Sequence, residues 1–215
     1  MYQTFLNLEV EKQHKIINAA LKEFSTNNYD TASTNKIIKD AEISKGILYH
    51  YFGSKKNLYL YLYEYVTTIF IDAMNSRLDL EEPDIFKRYE QIMKIKLELI
   101  KQYHTFFDFL KKTYAETNVE VRSKLDQYNL TIQNSSYDSV FAGIDYDLFH
   151  KNIDSKKAID TLRWVTDGIS NRYEKQLKSN VDNSEAFNQL LEQCMEEADD
   201  YFHFLKQLLY NNLKG

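Results

Sequence analysis

Apolar residues recur at helical spacing along almost the whole chain. Between residues 9 and 26, Ile16, Ala20 and Phe24 stand four apart, and Ile17 with Leu21 widens the same stripe. That segment therefore reads as an amphipathic helix. Asn27-Asn28-Tyr29-Asp30 then supplies turn formers. A second, short helix starts near Ser33, a good N-cap, and presents Ile37, Ile38 and Ala41. After Glu42-Ile43, Ser44 caps a third helix running from Lys45 to Phe52, which Gly53-Ser54 ends; Ser54 caps a fourth, from Lys55 to about Asn75. Two short helices around a turn of three or four residues make a helix-turn-helix candidate.

Pro83 suits the first turn of another helix. Helices over roughly 84–101, 104–115 and 118–141 follow, then a loop with a short helical turn over 143–153. A helix from 155 to about Leu177 and a last one from about Ser184 to about Leu213 complete the chain. In the last helix Leu191, Cys194, Ala198, Tyr201, Leu205 and Leu208 recur at alternating spacings of three and four, the pattern of helices crossing at about 20°. Met195, Phe202 and Leu209 form a second stripe beside it. In the helix before, Ala158, Leu162, Val165, Ile169 and Tyr173 make an inner face. Gly168 sits mid-helix, where it costs about 1 kcal/mol against Ala, and close approach of another helix accounts for it. Either the pair is buried within one chain, or it forms a dimer interface through Gly168, Leu191, Ala198, Tyr201, Leu205 and Leu208; the two stripes favour the dimer.

Composition sharpens the fold class. Five glycines and one proline in 215 residues are too few for the many turns of a sandwich, barrel or open α/β sheet. The glycines are also spaced too widely for a dinucleotide fingerprint or a P-loop. An all-α protein of about nine helices remains. The single cysteine, Cys194, excludes an internal disulfide and a cysteine zinc cluster, and fits a reducing cytosol. No signal peptide and no 18-residue apolar run is visible, so a cytoplasmic protein without membrane contact is expected. The net charge of −5 is uneven: residues 1–63 carry a balance of +2, and the rest is acidic. Only the N-terminal part suits a polyanion.

The third helix carries the chemistry. Leu48 and Phe52 lie four apart and turn inward, while Lys45 with Tyr49, and Gly46 with His50, line up outward. An ammonium, a bare backbone, a phenol and an imidazole are all donors, and no carboxylate interrupts them; such a surface suits phosphates and base edges. Lysine is disfavoured at a helix N-terminus, yet Lys45 and Lys55-Lys56 each follow a cap. Either these lysines are simply solvated, or the helix starts hold an external anion.

Residues 29–58, Y-D-T-A-S-T-N-K-I-I-K-D-A-E-I-S-K-G-I-L-Y-H-Y-F-G-S-K-K-N-L, resemble the DNA-binding signature of TetR-type transcriptional regulators; with Ala19-Ala20 and Phe24 the likeness covers about residues 9–60. The resemblance implies a three-helix helix-turn-helix head (1–53) and a helical effector-binding and dimerisation domain (54–215). It also implies a homodimer on a palindromic double-stranded operator, released by a small molecule. By the same resemblance, Lys45, Gly46, Tyr49 and His50, in the block opened by Ser44, match recognition-helix contacts. Ser33 and Thr34 match phosphate contacts, as does Lys55. Two departures stand out. Glu42 replaces the usual turn glycine, and Ile47 replaces a small, often hydroxylated residue, so a contact there is apolar.

The C-terminal part is rich in aromatics, most of them suited to plain core packing. Pockets between helices are mainly apolar with a few polar groups. On that basis Phe70, Phe107, Tyr128, Asn134, Tyr137, Phe141, Trp164 and Asp167 are the candidates for lining a site for a hydrophobic effector, neutral or cationic given the acidic surroundings. No catalytic residue, metal or cofactor is expected: the five histidines are scattered, with no HExxH or similar pairing. The rival readings are a helical enzyme and a small-molecule or lipid carrier or scaffold; the carrier would not need Lys45, Tyr49 and Lys55 on one surface.

Overall fold

The structure, a computed structural model, describes residues 2–210, apart from the side chains of 133–138. Its elements are α1 (Gln3–Leu6), α2 (Val10–Thr26), α3 (Thr34–Asp40), α4 (Lys45–Phe52), α5 (Lys55–Asn75), α6 (Ile85–Gln102), α7 (His104–Ala115), α8 (Val119–Phe141), a 3-10 turn (Tyr146–Leu148), α9 (Ser155–Ser179) and α10 (Ser184–Leu209). Among the described residues there is no strand, and no helix is long and apolar enough to cross a membrane. All nine expected helices are present. The periodicity does not show α1, which has only four residues. It also carries the last helix too far: Tyr210 is extended, so α10 stops at Leu209, and Phe149 and Tyr210 form an isolated bridge.

The chain forms two compact units. The first comprises residues 1–75 and 99–133. Its core gathers the predicted stripe of α2 (Ile16, Ile17, Ala20, Leu21, Phe24) with Ile37, Leu48, Phe52, Leu58 and Leu62, and with Phe109, Val121 and Leu125. Each large side chain removed from water contributes about 1.5–3 kcal/mol. From α1, Phe5 is fully buried and meets Phe52 and Tyr61 with ring centroids 4.9 and 5.3 Å apart, backing α4 from inside.

One buried carboxylate ties α2 to α3. Glu23 Oε1 accepts from the Ser33 backbone N–H at 2.9 Å and from Asn27 Nδ2 at 3.0 Å, and Oε2 pairs with Lys36 Nζ at 2.8 Å. Burial alone would raise its pKa; the bonds from Lys36 and Ser33 and the Lys36 charge outweigh it and hold the carboxyl below the usual range.

The second unit comprises residues 76–98 and 134–215. Ile85, Phe86 and Tyr89 of α6, Phe141 of α8, Ala158 and Leu162 of α9, and Phe202 and Leu205 of α10 make its core. At its centre Arg88 is fully buried (0% exposed) and donates to four carbonyls. Nε reaches Glu82 O at 2.5 Å, Nη1 reaches Val140 O at 2.8 Å and Ala142 O at 2.6 Å, and Nη2 reaches Leu80 O at 2.6 Å. The guanidinium thus closes the end of α8, where the helix dipole is negative. Asp84 caps α6 through Phe86 N at 2.9 Å and takes Lys206 Nζ of α10 at 3.0 Å.

Candidate nucleic-acid interface

The head is organised by its caps. Ser33 Oγ accepts from Lys36 N at 3.4 Å at the start of α3, and Ser44 Oγ accepts from Ile47 N at 3.3 Å at the start of α4. Each cap uses only the oxygen and keeps the hydroxyl proton for another acceptor. Gly53, at φ +73°, ends α4 in a conformation glycine adopts without cost. Ser54 Oγ then accepts from Asn57 N at 3.1 Å and opens α5.

Between α3 and α4 lies a Schellman turn. Ile43 N donates to Ile38 O at 3.1 Å and Glu42 N to Lys39 O at 3.2 Å, with Ile38 and Ile43 packed against the same core. The residue that must be left-handed here is Glu42, at φ +55°, the one non-glycine residue at positive φ among those described. Its carboxylate turns back to Lys15 Nζ on α2 at 2.5 Å. The departure from glycine read in the sequence is therefore a real backbone strain, and Lys15 neutralises the added charge.

On α4 the predicted sorting of faces holds. Leu48 and Phe52 are buried, and Lys45, Gly46, Ile47, Tyr49 and His50 are all exposed, Ile47 at 40% and Tyr49 at 37%. Lys45 Nζ stands 6.0 Å from the Tyr49 ring centroid, so ammonium and phenol form one surface. Lys55 is half-buried at the start of α5. Its Nζ donates to Asp30 O at 3.3 Å and lies 5.0 Å from the Tyr29 ring centroid, which leaves two ammonium protons for an external acceptor. Ser33 is exposed and Thr34 half-buried. The nine residues from Ser33 to Lys55 singled out in the sequence thus belong to one compact unit, on capped helix starts and the outward side of α4.

The expected effector residues are spread over both units. Phe70, Phe107 and Tyr128 belong to the first unit. There Phe70 and Tyr128 pack against the core, Phe70 stands 5.9 Å from the Tyr103 ring, and the Tyr128 hydroxyl donates to Glu64. That bond, with burial, pushes the Tyr128 pKa up to about 12. Phe141 lies in the core of the second unit, Asp167 is half-buried, and Trp164 is 71% exposed, so in this chain Trp164 lines no interior. The side chains of Asn134 and Tyr137 lie outside the described residues. Of the expected interface, Tyr201 and Leu208 are exposed and Gly168 opens onto empty space. Leu191 and Ala198 are half-buried, and Leu205, at 8% exposure, is a core residue. The correction follows from helix phase: Phe202 and Leu205 turn inward together, and Phe204, absent from the expected stripe, turns outward with Tyr201 and Leu208. Sequence reading also missed Glu23 and Glu116, both buried carboxylates that carry no periodic signal.

Residues 16–62 match the family model of the bacterial regulatory proteins of the tetR family. The HTH-type transcriptional regulator YuxN of Bacillus subtilis is 29% identical over 127 residues, 59% of this chain and 42% of YuxN, so the match spans less than half of that relative. The negative transcriptional regulator IcaR of the biofilm operon icaADBC of Staphylococcus epidermidis is 25% identical over 138 residues, 63% of this chain and 74% of IcaR. The solved structure of the fatty acid degradation regulator FadR from Bacillus halodurans has the same fold, with a TM-score of 0.60 at 19% identity over 97% of this chain and 99% of that one. Residues 16–62 thus carry the helix-turn-helix head of the bacterial regulatory proteins of the tetR family, and the chain as a whole shares the fold of FadR.

Proposed function

We propose that the protein is a ligand-responsive repressor that binds a palindromic operator as a homodimer in the cytoplasm and is released by a small hydrophobic effector. The observation that carries this reading is the outward side of α4: Lys45, Gly46, Ile47, Tyr49 and His50 are exposed together without a carboxylate among them. Lys45 and Lys55 supply charge for phosphates, and Ser33 and Thr34 supply hydroxyls at the start of α3. Tyr49 and His50 are left to meet base edges, and Ile47 a thymine methyl. The residues from 1 to 53 serve as the DNA-binding head, and those from 54 to 215 hold the effector and the partner.

Homodimerisation is supported by α9 and α10. Tyr201, Phe204 and Leu208 stand exposed along α10, Trp164 is exposed on α9, and a Cβ at Gly168 would meet nothing within 4 Å. An apolar stripe beside an open glycine suits the close approach of a second copy. Two heads so joined would meet half-sites about 34–36 Å apart, or a multiple of that. For the effector, the aromatic side chains of Phe70, Phe107 and Tyr128 favour an apolar molecule, and the name of the similarly folded FadR points towards acyl chains.

The test is selection of bound duplexes from a randomised library, followed by a gel shift on the selected site. A palindromic consensus bound by the wild type and lost in Tyr49→Ala at unchanged melting temperature supports the reading. No enrichment over the starting library refutes it.

A further inference from the structure

The phosphate-facing lysine of this head is not held by the head alone. Lys55 is set by the loop between α2 and α3, through the Asp30 carbonyl and the Tyr29 ring. That loop is gripped from the turn between α7 and α8, nearly ninety residues further along the chain and in the same compact unit. Glu116 is buried there, and its Oε2 accepts the Tyr29 backbone N–H at 2.8 Å. Its Oε1 accepts Thr117 N at 2.9 Å and Asn118 N at 2.8 Å, so the carboxylate cannot turn away without breaking its own turn. Two neighbours complete the grip: Asn118 Nδ2 donates to Asp30 Oδ1 at 2.6 Å, and the Tyr29 hydroxyl donates to Glu120 Oε2 at 3.0 Å. Burial and these carboxylates push the Tyr29 pKa up to about 12, so the phenol stays a donor throughout the physiological range.

We propose that Glu116 is a positioning residue for DNA binding: by fixing Tyr29 and Asp30 it aims the Lys55 ammonium and sets the start of α3, where Ser33 and Thr34 stand. The inference rests on the DNA-binding reading above and adds to it a control point outside the helix-turn-helix. A flexible lysine pays rotamer entropy whenever it meets a phosphate. One whose stem is already held loses less, so disorder in the 28–32 loop weakens the grip without removing any contact residue.

The experiment is a double-mutant cycle of Glu116→Gln and Lys55→Met, read by fluorescence anisotropy on a duplex of the selected site across a salt series. Gln keeps the size but offers one acceptor oxygen where the carboxylate offers two. Glu116→Gln is expected to weaken binding at least tenfold and to flatten the slope of log K against log salt towards that of Lys55→Met. Adding Lys55→Met to it should cost less than a further twofold. In the absence of DNA, hydrogen exchange at the Tyr29 amide should accelerate at least tenfold while α10 is unchanged. Additive losses, an unchanged slope or an unchanged Tyr29 amide overturn the proposal while leaving the DNA-binding reading in place; a wild type that ignores duplex DNA overturns both. Should Glu116→Gln fail to fold, Asn118→Asp, which keeps the acceptor for Glu120 N and removes the donor to Asp30, takes its place in the cycle with the same expected losses of affinity and salt slope.

Discussion

Replacing Glu23 by alanine probes the joint between α2 and α3 directly. The carboxylate is almost fully buried and accepts the Ser33 N–H at 2.9 Å and Asn27 Nδ2 at 3.0 Å. A hydrogen bond to a charged acceptor contributes about 1.5–3 kcal/mol, and an ordinary one about 1. Asn27 retains a longer bond to the Glu23 backbone carbonyl, at 3.3 Å, which lowers its share of the loss. The Lys36 ammonium is half-exposed and screened by water, and is left out of the sum. Relief of the buried charge's own desolvation offsets part of the total. The expected loss is therefore about 2–3 kcal/mol, read as a fall of roughly 5–10 °C in melting temperature for a chain of this size. The pH dependence has a definite sign. The folded pKa lies below the unfolded one, so the stabilisation is complete above about pH 4.5 and is lost as pH falls through the folded value. Urea titrations of wild type and Glu23→Ala at pH 7 and pH 3.5 measure both effects. A gap below about 0.5 kcal/mol at pH 7, or one that fails to narrow at pH 3.5, refutes the reasoning.

Three further outcomes are expected. Arg88→Met leaves four carbonyls in the second unit without their donor, and calorimetry should show a loss of about 3 kcal/mol or more. Glu42→Gly removes the left-handed strain and the exposed pair with Lys15. The strain costs about 1–2 kcal/mol, against less than 1 for the pair and about 0.4–1 for glycine's freedom when unfolded, so the terms nearly cancel and stability should change by less than about 1 kcal/mol in chemical denaturation. Phe204→Glu with Leu208→Glu should give a folded monomer in sedimentation, whereas Leu205→Arg should unfold the second unit; a dimer surviving the double change removes this side of α10 from the interface.

The head was legible because its signals are local. Ser44 and Gly53 bracket α4, and a four-residue period sorts Leu48 and Phe52 from Lys45 and Tyr49, so its ends and faces follow from the sequence. Elsewhere the signal was weaker or of another kind. With four residues, α1 is too short to show a period, though Tyr2 and Phe5 are spaced for one face. On α10 two apolar stripes overlap, and periodicity alone does not say which one the chain's own core takes; Phe202 decides it, and Leu205 goes inward with it. Glu23 and Glu116 are buried for their bonds to backbone N–H groups distant in the chain, and a charged letter in a sequence reads as surface. The effector candidates rest on side-chain chemistry alone, which core aromatics and pocket aromatics share.

The central claim is that the outward side of α4, with Lys55, grips a duplex. The direct measurement is the affinity of the purified wild type for double-stranded DNA from low to moderate salt, with Lys45→Met and Lys55→Met beside it. Two lysines in each of two heads neutralise about four phosphates, so log K should fall against log salt with a slope of roughly −4, and each variant should flatten it by nearly two units. A slope near zero, or variants indistinguishable from wild type, would contradict the account.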